Sequence, residues 1–348
     1  MAQDRIRVGI IGAGDNTRTM HIPRLQAIDG VEIVGVCNRS RASSQKVADT
    51  FGIAKVYDHW HEVINDANAD AVVIGTWPYM HCRATIAALD SGKHVMTEAR
   101  MARNAREARQ MLAKSEAHPH LVAQIVPSPM TLGLDKTIKR LIAEGFLGDV
   151  LVIEHHEASG GFLDADASLH WRLNFDLSGL NILAMGIYYE AMIRWVGEAT
   201  SVQAKGKTFV KMRKDADGMM RTVRIPEHLD VIADMTCGAQ LHLQQSSVTA
   251  LMEGGGTYLF GSEGTLRIRG GKLYGGRKGD RSLEAITIPD KEKGGWRVEE
   301  EFVNAIRGNE VITHTRFEDG VKYMEFTEAV SRSLATGRTI PLPLDLGE

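Results

Sequence analysis

The stretch that most constrains this chain lies near its start, where an apolar run ends in two glycines, Arg7-Val8-Gly9-Ile10-Ile11-Gly12-Ala13-Gly14. A helix is predicted to follow, opening near His21-Ile22-Pro23. Gly12 permits a tight turn, and Gly14 lets backbone N–H groups approach a pyrophosphate closely. The positive end of the helix dipole adds to that attraction. The pattern predicts a dinucleotide-binding turn. The contacts expected there are Gly12, Gly14, Asn16 and Thr17.

Thr17 occupies the place of the third glycine in the dinucleotide fingerprint, so the motif is incomplete. An ordinary strand-to-helix turn has the same two glycines. The following sequence favours the dinucleotide interpretation, because short β-branched runs alternate with helical stretches up to about residue 126. The runs are apolar on both faces, which is typical of a parallel sheet covered by helices. The predicted strands are residues 7–11, 32–36, 71–75, 94–97 and 121–125.

The end of the second predicted strand bears on cofactor choice. NAD-binding sheets place an Asp or Glu there for the ribose 2′-hydroxyl, whereas this chain has Cys37-Asn38-Arg39-Ser40-Arg41. An uncharged Asn38 does not repel a 2′-phosphate, and the guanidinium of Arg39 or Arg41 can bind one. We therefore expect NADP in preference to NAD, with NAD as the alternative. The alternative is that Arg39 and Arg41 are solvated residues at the start of a helix.

Two further loops are expected at the ligand crevice, because they follow strands of the same sheet. The first is Gly75-Thr76-Trp77-Pro78-Tyr79-Met80-His81, and its aromatic residues could flank the nicotinamide or a ribose or simply cap the loop. The second is Thr97-Glu98-Ala99-Arg100, which brings a carboxylate and a guanidinium to a strand end. The cofactor contacts predicted from these loops are Thr76, Trp77, His81, Glu98 and Arg100, with His81 mostly structural.

Composition narrows the class of protein. A formal charge of −3 argues against nucleic acid as a partner, because a basic surface would be required. No apolar run approaches the roughly 20 residues that span a bilayer, and the first residues show no apolar signal region. Cys37, Cys82 and Cys237 form no disulfide or metal-binding pattern. We expect a cytoplasmic protein without a metal site. The length of 348 residues suits two domains, and Pro127-Ser128-Pro129 suggests domains at 1–127 and 128–348.

The second half offers candidate acid–base groups. His155 and His156 lie in a predicted strand, 150–157, and must point to opposite faces, so at most one faces a cleft; His156 is kept as the candidate. His170 lies in a long loop with Trp171 and Arg172. Tyr188 lies in a predicted buried helix, 181–195, and its hydroxyl could carry a proton if its pKa were lowered, although it could also be a core tyrosine. Residues 270–289 are predicted to be loose.

Several motifs together resemble the Gfo/Idh/MocA oxidoreductases along nearly the whole chain. They are Gly12-Ala13-Gly14, Ala88-Leu89-Asp90-Ser91-Gly92-Lys93-His94-Val95 with Glu98, Trp171-Arg172, Phe260-Gly261-Ser262-Glu263-Gly264-Thr265-Leu266 and Ser333-Leu334-Ala335-Thr336-Gly337-Arg338-Thr339. The resemblance implies an α/β protein with an N-terminal Rossmann domain and a C-terminal α/β domain with a large, mostly antiparallel sheet. It also implies NAD or NADP, a sugar, cyclitol or related polyol as substrate, and a homodimer or homotetramer formed through that sheet.

The chain departs from the family at the residues that carry its chemistry. The family's Glu-Lys-Pro motif falls on Glu98-Ala99-Arg100, so the lysine that serves the reacting hydroxyl is absent. The family's Asp-x-Gly-x-His motif, aligned on Gly186, falls on Ala184 and Tyr188. Glu98 is then expected to orient the cofactor or substrate more than to carry a proton. The candidate catalytic residues are Tyr188, Glu98, His156 and His170, and Trp171 and Arg172 join the predicted cofactor contacts.

Three functions are consistent with these features. The first is an NAD(P)-dependent dehydrogenase or reductase that transfers a hydride between nicotinamide and a sugar or polyol. The second is a redox-neutral, glycoside-processing enzyme that retains NAD, since the missing lysine suits altered chemistry. The third is a catalytically inactive dinucleotide-binding regulator. An NADP-like strand end, which suggests an exchanging cofactor, favours the first.

Overall fold

The computed structural model describes residues 5–158, 161–253 and 255–347. The chain separates into two compact units, Met1–Pro127 with Arg297–Val321 and Ser128–Trp296 with Lys322–Glu348. The chain passes to the second unit after Pro127, where we placed the domain boundary. The prediction differs for 297–321, which it assigned to the second domain and which belongs to the first unit.

The first unit contains a parallel sheet of five strands in the order β2-β1-β3-β4-β5. Its strands are β1 (Ile6–Ile11), β2 (Val31–Cys37), β3 (Ala71–Ile74), β4 (His94–Thr97) and β5 (Ala123–Ile125). Its helices are α1 (Ile22–Gln26), α2 (Arg41–Phe51), α3 (Trp60–Asn65), α4 (Pro78–Asp90) and α5 (Ala105–Glu116), with a π-helical turn (Thr17–His21) before α1. All four residues of β3 are buried, as expected for a sheet covered on both faces. The strand order reverses between β1 and β3, where Rossmann sheets bind their ligand.

The second unit contains a sheet of nine strands in the order β15-β14-β13-β12-β6-β11-β10-β7-β16, antiparallel except for the β6–β11 pair. Its strands, with the β8–β9 hairpin, are β6 (Val150–Ala158), β7 (Ala199–Lys207), β8 (Met212–Lys214), β9 (Met220–Thr222), β10 (His228–Met235), β11 (Gln240–Ser246), β12 (Gly256–Gly261), β13 (Gly264–Arg269), β14 (Lys272–Arg277), β15 (Glu284–Ala285) and β16 (Ile340–Pro341). The remaining helices in chain order are α6 (Asp135–Ala143), α7 (Phe175–Ser178), α8 (Met185–Val196), α9 (Val298–Ile306) and α10 (Phe317–Thr336). The predicted fold class is confirmed.

Residues 270–289 were predicted to be loose, and this prediction is wrong for β14 and β15. Gly275 and Gly276 make β14 a poor strand by propensity. Tertiary packing overrides that propensity, because a Cβ on Gly275 would lie 2.6 Å from Cδ1 of Ile286. Side chains of neighbouring segments therefore pack directly on the backbone of β14 at this position.

One face of the large sheet is covered, and in the described part of the chain the other, which we call the uncovered face, carries exposed side chains. The α8 helix packs on the covered face, where the ring of Tyr188 lies 4.2 Å from that of His155 on β6. On β7 of the same unit, the backbone N–H of Ala204 donates to Oγ of Ser333 in α10. The opposite face carries polar side chains with some apolar ones, and Ile232 on β10 is 51% exposed.

The segment Arg297–Val321 completes the first unit. Thr315 exchanges two backbone hydrogen bonds of 3.0 Å with Ile125 and so covers the edge of β5. Glu301 of α9 is buried and accepts a hydrogen bond of 3.0 Å from Nε2 of Gln124. Buried polar groups of the first unit thus find their partners almost 180 residues further along the chain.

Candidate functional site

The turn after β1 brings two strand ends into very close contact. Gly12 has φ +82°, and a Cβ there would lie 2.5 Å from Cγ2 and 2.9 Å from the backbone N of Thr76. A Cβ on Gly14 would lie 3.1 Å from the carbonyl oxygen of Gly75. Side chains at either position would fill the space over the turn. The open backbone cradle fits a pyrophosphate, which such turns bind through N–H groups.

Gly75, at the end of the neighbouring strand, compensates for the absent third glycine. Thr17 is buried, and its Oγ1 lies 3.4 Å from the carbonyl oxygen of Gly12. A Cβ on Gly75 would lie only 1.9 Å from Oγ1 of Thr17. Gly75 therefore provides the room that a glycine at position 17 would otherwise provide. Thr17 supports the turn from inside the unit.

At the end of β2, the side chain of Asn38 is hydrogen-bonded to the glycine turn. Its Oδ1 accepts a hydrogen bond of 2.7 Å from the backbone N–H of Ala13, and its Nδ2 donates to Ser43. Arg39 is exposed, and its guanidinium carbon lies 4.6 Å from the ring centroid of Trp77. Arg41 forms a largely exposed ion pair with Asp58 at 2.7 Å. Two guanidinium groups therefore lie where an NAD-specific sheet has a carboxylate.

His81 links two of the loops that follow strands. It is fully buried, with Nδ1 2.9 Å from the carbonyl oxygen of Arg100 and Nε2 3.0 Å from that of Thr76. Burial lowers its pKa, although both hydrogen bonds oppose that effect. Arg100 is also buried, at 2% exposure. We interpret His81 as a residue that fixes the loops after β3 and β4.

A histidine that sequence analysis treated only as a helix start lies between two carboxylates. Nε2 of His21 lies 2.9 Å from Oε1 of Glu98, and Nδ1 lies 2.5 Å from Oε1 of Glu299. Asn16 donates to the same Glu98 oxygen at 2.5 Å. His21 and Glu299 are fully buried, and the Glu98 side chain is 15% exposed. We call Glu98, His21 and Glu299 the carboxylate–imidazole array.

The array fixes the ionisation of its members. Burial disfavours the charged form of His21, but hydrogen bonds to Glu299 and Glu98 outweigh it and raise the pKa of His21 to about 9. Burial likewise opposes ionisation of Glu98, yet His21 and Asn16 lower its pKa. At neutral pH His21 is therefore an imidazolium and Glu98 a carboxylate. Glu98 is a poor proton acceptor in this state.

This ionisation predicts a pH-dependent stability. Because the pKa of His21 rises from 6.5 to about 9 on folding, its contribution is complete below pH 6.5 and disappears as pH rises to about 9. The contribution corresponds to about 3 kcal/mol. We expect the stability difference between the wild type and His21→Gln, measured by urea denaturation, to be larger at pH 6 than at pH 9.5. An equal difference at both pH values would contradict the ionised state.

The second unit has a cavity of about 360 Å³ on the covered face of its sheet. Its lining includes His155 and Glu157 of β6, Tyr188 and Met192 of α8, and Arg269 at the end of β13. A volume of this order accommodates a small organic ligand. The position that falls on the family's catalytic histidine, Tyr188, is therefore at a cavity wall.

Tyr188 and His155 have pKa values shifted in opposite directions. Burial raises the pKa of Tyr188, and the nearby charge of Glu157, to which the hydroxyl donates, raises it further. The lowered pKa that we considered for Tyr188 is therefore wrong. Burial lowers the pKa of His155 to about 3, so its ring is neutral. Nδ1 of His155 lies 2.9 Å from Oγ1 of Thr257.

The other predicted residues of the second unit lie away from the cavity lining. His156 points to the opposite sheet face, where Nε2 lies 3.8 Å from Oε2 of Glu154 and its ring meets that of His242. The alternation of β6 places His155 at the cavity instead. The prediction that His156 is the histidine facing the cleft is therefore wrong. His170 is exposed and precedes a 3-10 turn, where Arg172 lies over the Trp171 ring at 4.3 Å.

A buried ion-pair network holds the helix that carries Tyr188. Arg194 pairs with Glu190 at 2.5 Å and with Asp135 at 2.9 Å, and Asp135 also accepts from Nε1 of Trp195 at 2.7 Å. Glu190 further accepts from the backbone N–H of Ser128. Burial disfavours the charge on Arg194, but the two carboxylates raise its pKa. The network anchors α8 to α6 and to the start of the second unit.

The described residues contain neither a cluster suited to a metal ion nor a helix suited to a membrane. No group of three His, Cys, Asp or Glu side chains within 5–158, 161–253 and 255–347 could hold a metal ion. Over the same residues, no helix has both the length and the apolar character required to cross a membrane.

Comparison with known families gives two matches that together cover most of the chain. Residues 6–124 match the model of the Gfo/Idh/MocA oxidoreductase family described as an NAD-binding Rossmann fold. Residues 136–267 match the Gfo/Idh/MocA C-terminal domain.

Individual proteins that resemble the chain are oxidoreductases or carry an oxidoreductase domain. The chain is 24% identical over 368 aligned residues to the mouse glucose-fructose oxidoreductase domain-containing protein 2, covering 95% of this chain and 91% of that protein. It is 29% identical over 161 residues to the inositol 2-dehydrogenase of Salmonella typhimurium, covering 44% and 47% of the two chains. The solved structure of levoglucosan dehydrogenase with NADH and L-sorbose superimposes with a TM-score of 0.85 at 19% identity, covering 97% of this chain and 99% of that one. At 19% identity, the similarity to levoglucosan dehydrogenase establishes the fold alone.

Proposed function

The chain belongs to the Gfo/Idh/MocA family of NAD-binding oxidoreductases, and from this premise we propose that it transfers a hydride between NADP(H) and a sugar, cyclitol or related polyol. The observation that carries the proposal is the cradle of Gly12, Gly14 and Gly75, which added Cβ atoms would fill. The partial similarity to an inositol 2-dehydrogenase supports the substrate class. The carbon that reacts is a carbinol in one direction and a carbonyl in the other.

The preference for NADP is supported by the end of β2. Asn38 removes the negative charge that would repel a 2′-phosphate, and Arg39 and Arg41 supply positive charge. The pair of Arg41 and Asp58 is largely exposed, and ion pairs of this kind contribute little to stability, so a phosphate can compete for this guanidinium. Gly12 and Gly14 would receive the pyrophosphate. Thr76, Trp77 and Glu98 are proposed contacts on the other side of the turn.

The proton of the reacting hydroxyl is assigned to Tyr188 and Glu157. The bound dinucleotide would supply or accept the hydride. As a carbinol is oxidised, Oη of Tyr188 takes the hydroxyl proton while it passes its own proton to the Glu157 carboxylate. The phenol never becomes a phenolate, which agrees with its raised pKa. We assign no proton transfer to His156 or His170, and we assign Glu98 an orienting role.

The proposal is tested by the cofactor that the protein holds and prefers. The purified protein is denatured, any released dinucleotide is identified, and the emptied protein is titrated with NADPH and NADH and then assayed with a panel of polyols and keto sugars. An empty protein that prefers NADPH and reduces or oxidises one of these compounds supports the proposal. Tightly held NAD that does not exchange would indicate the redox-neutral alternative. Binding without turnover would indicate a regulator, and absence of binding would contradict the cradle argument.

Arg39→Ala provides a specific prediction for cofactor choice. We expect the Kd for NADPH to rise about tenfold or more, because a charge-assisted contact to phosphate contributes about 1.5–3 kcal/mol. The Kd for NADH should change far less, since it lacks the 2′-phosphate. Fluorescence titration with both cofactors measures this, and Arg24→Ala serves as a control for loss of an arginine elsewhere in the first unit. Equal losses for the two cofactors would contradict the assignment.

We also propose that the protein is a cytoplasmic homodimer or homotetramer that associates through the uncovered face of the large sheet. Ile232 is half exposed on that face, and the rings of Tyr258 and Phe260 stack on each other in β12. Paired aromatic and aliphatic side chains of this kind are common in subunit interfaces. Sedimentation analysis of the wild type and Ile232→Asp tests the assembly.

A further inference from the structure

The carboxylate–imidazole array lies at the edge of the first sheet where ligands bind. Glu98 directly follows β4, and His21 ends the π-helical turn that follows β1. With the pyrophosphate at the glycine turn, one nucleotide extends over β2 and the other over β3 and β4. Arg39 and Asn38 mark the β2 side as the adenosine side. Glu98 therefore lies on the side that receives the nicotinamide.

Counted formally, with His21 protonated and both glutamates ionised, the array has a charge of −1. His21 has one positive charge between the carboxylates of Glu98 and Glu299, at 2.9 and 2.5 Å. His21 and Glu299 are shielded from solvent, whereas the Glu98 side chain retains 15% exposure. Charge in such a partly desolvated site acts over several ångströms with little screening. The charge of the array can therefore affect the affinity for a ligand that contacts only Glu98.

We infer that His21 and Glu299 are positioning residues that hold Glu98 at the nicotinamide side of the first unit, and that the negative array makes the site bind the oxidised, cationic nicotinamide more tightly than the reduced, neutral one. The inference rests on the proposed binding of NADP(H). It adds an electrostatic preference between the two redox forms. A site of this kind favours hydride donation by the reduced cofactor, because the positive ring that remains is stabilised.

Asn16, the backbone N–H of Ala99 and His81 are uncharged neighbours of the array, and Arg100 is a cationic one. Asn16 contributes a neutral amide to Glu98, and the backbone N–H of Ala99 donates to its Oε2 at 3.2 Å. His81 faces Glu98 from α4, and burial lowers its pKa. Arg100 is buried on the same loop and its carbonyl accepts from His81. Of these neighbours, Arg100 contributes a permanent positive charge, and it is unchanged in the test variant.

The test compares two buried carboxylates on one helix. Glu299→Gln removes one negative charge from the array, whereas Glu301→Gln neutralises a buried carboxylate that bonds Gln124 and Thr313. We expect Glu299→Gln to raise the Kd for NADP⁺ about five- to tenfold relative to that for NADPH. Glu301→Gln should leave the ratio of the two Kd values unchanged. Both constants are measured by fluorescence titration at pH 7.5, without substrate.

The outcomes separate the inference from the proposed function. A wild type that binds neither dinucleotide overturns both. A wild type that binds both, together with an unchanged ratio in Glu299→Gln, overturns only the inference. If Glu299→Gln does not fold, the pH dependence of the two Kd values in the wild type tests the inference. Loss of the His21 proton near pH 9 makes the array more negative, so the preference for NADP⁺ should increase between pH 7.5 and 10. A constant ratio over that range overturns the inference.

Discussion

Replacement of Tyr188 by phenylalanine is expected to lower kcat at least a hundredfold, the usual scale for loss of an acid–base group. The variant keeps the ring that packs 4.2 Å from His155 and loses only the hydroxyl that donates to Glu157. Binding of NADPH should be unaffected, because Tyr188 is not among the cofactor contacts that we propose. Steady-state kinetics with the identified substrate, together with an NADPH titration, measures the two effects separately.

Tyr189→Phe is the matched control for that experiment. Tyr189 is the next residue of α8, but its hydroxyl accepts from the backbone N–H of Ala199 and its ring stacks on Phe326. We expect a loss of about 1 kcal/mol in stability and little change in kcat. A decrease of less than threefold in kcat for Tyr188→Phe would remove Tyr188 from the proton path. Glu157→Gln should give a decrease similar to that of Tyr188→Phe if the proton passes between them.

Gly12→Ala is expected to weaken dinucleotide binding at least a hundredfold. The new Cβ would meet the backbone N of Thr76 at 2.9 Å and the carbonyl carbon of Gly75 at 3.0 Å, so the strand ends must separate. The residue also has φ +82°, which a side chain disfavours by about 1 kcal/mol. Calorimetric titration with NADPH and thermal denaturation measure the two consequences.

Gly52→Ala separates the clash from the backbone strain. Gly52 follows α2 with φ +66°, and a Cβ there meets no atom within 4 Å. The variant therefore has a similar backbone cost without the collision, and its affinity for NADPH should equal that of the wild type. If the two alanine variants bind NADPH equally well, the turn at Gly12 does not hold the pyrophosphate.

The glycine turn and the parallel sheet of the first unit could be predicted from sequence, because their signals are local. Residues close in sequence set the turn after β1, and apolar runs on both faces predict a covered parallel strand. The compensation of Thr17 by Gly75 could not be predicted. It depends on β1 and β3 being neighbours, and sequence periodicity contains no information on that pairing.

The candidate site shows the same division. Alternation predicted that His155 and His156 face opposite ways, but the choice between them depends on which face α8 covers. The partnership of His21 with Glu299 spans 278 residues and has no local signal. A histidine before Ile22-Pro23 looks like a helix start, and Glu299 looks like one of three adjacent acidic residues at the start of a helix. Long-range contacts alone distinguish them from solvated residues.

The return of Arg297–Val321 to the first unit sets the order in which the protein matures on the ribosome. His21, Gln124 and the edge of β5 are synthesised early, but Glu299, Glu301 and Thr315 emerge only after Ser128–Trp296 has been translated. At about 5–20 residues per second, that delay is about 10–30 s. During this delay the polar groups of the N-terminal sheet lack the hydrogen-bond partners that they have in the folded protein. We therefore expect a nascent chain stalled before residue 297 to bind chaperones preferentially and to be cleaved easily by protease.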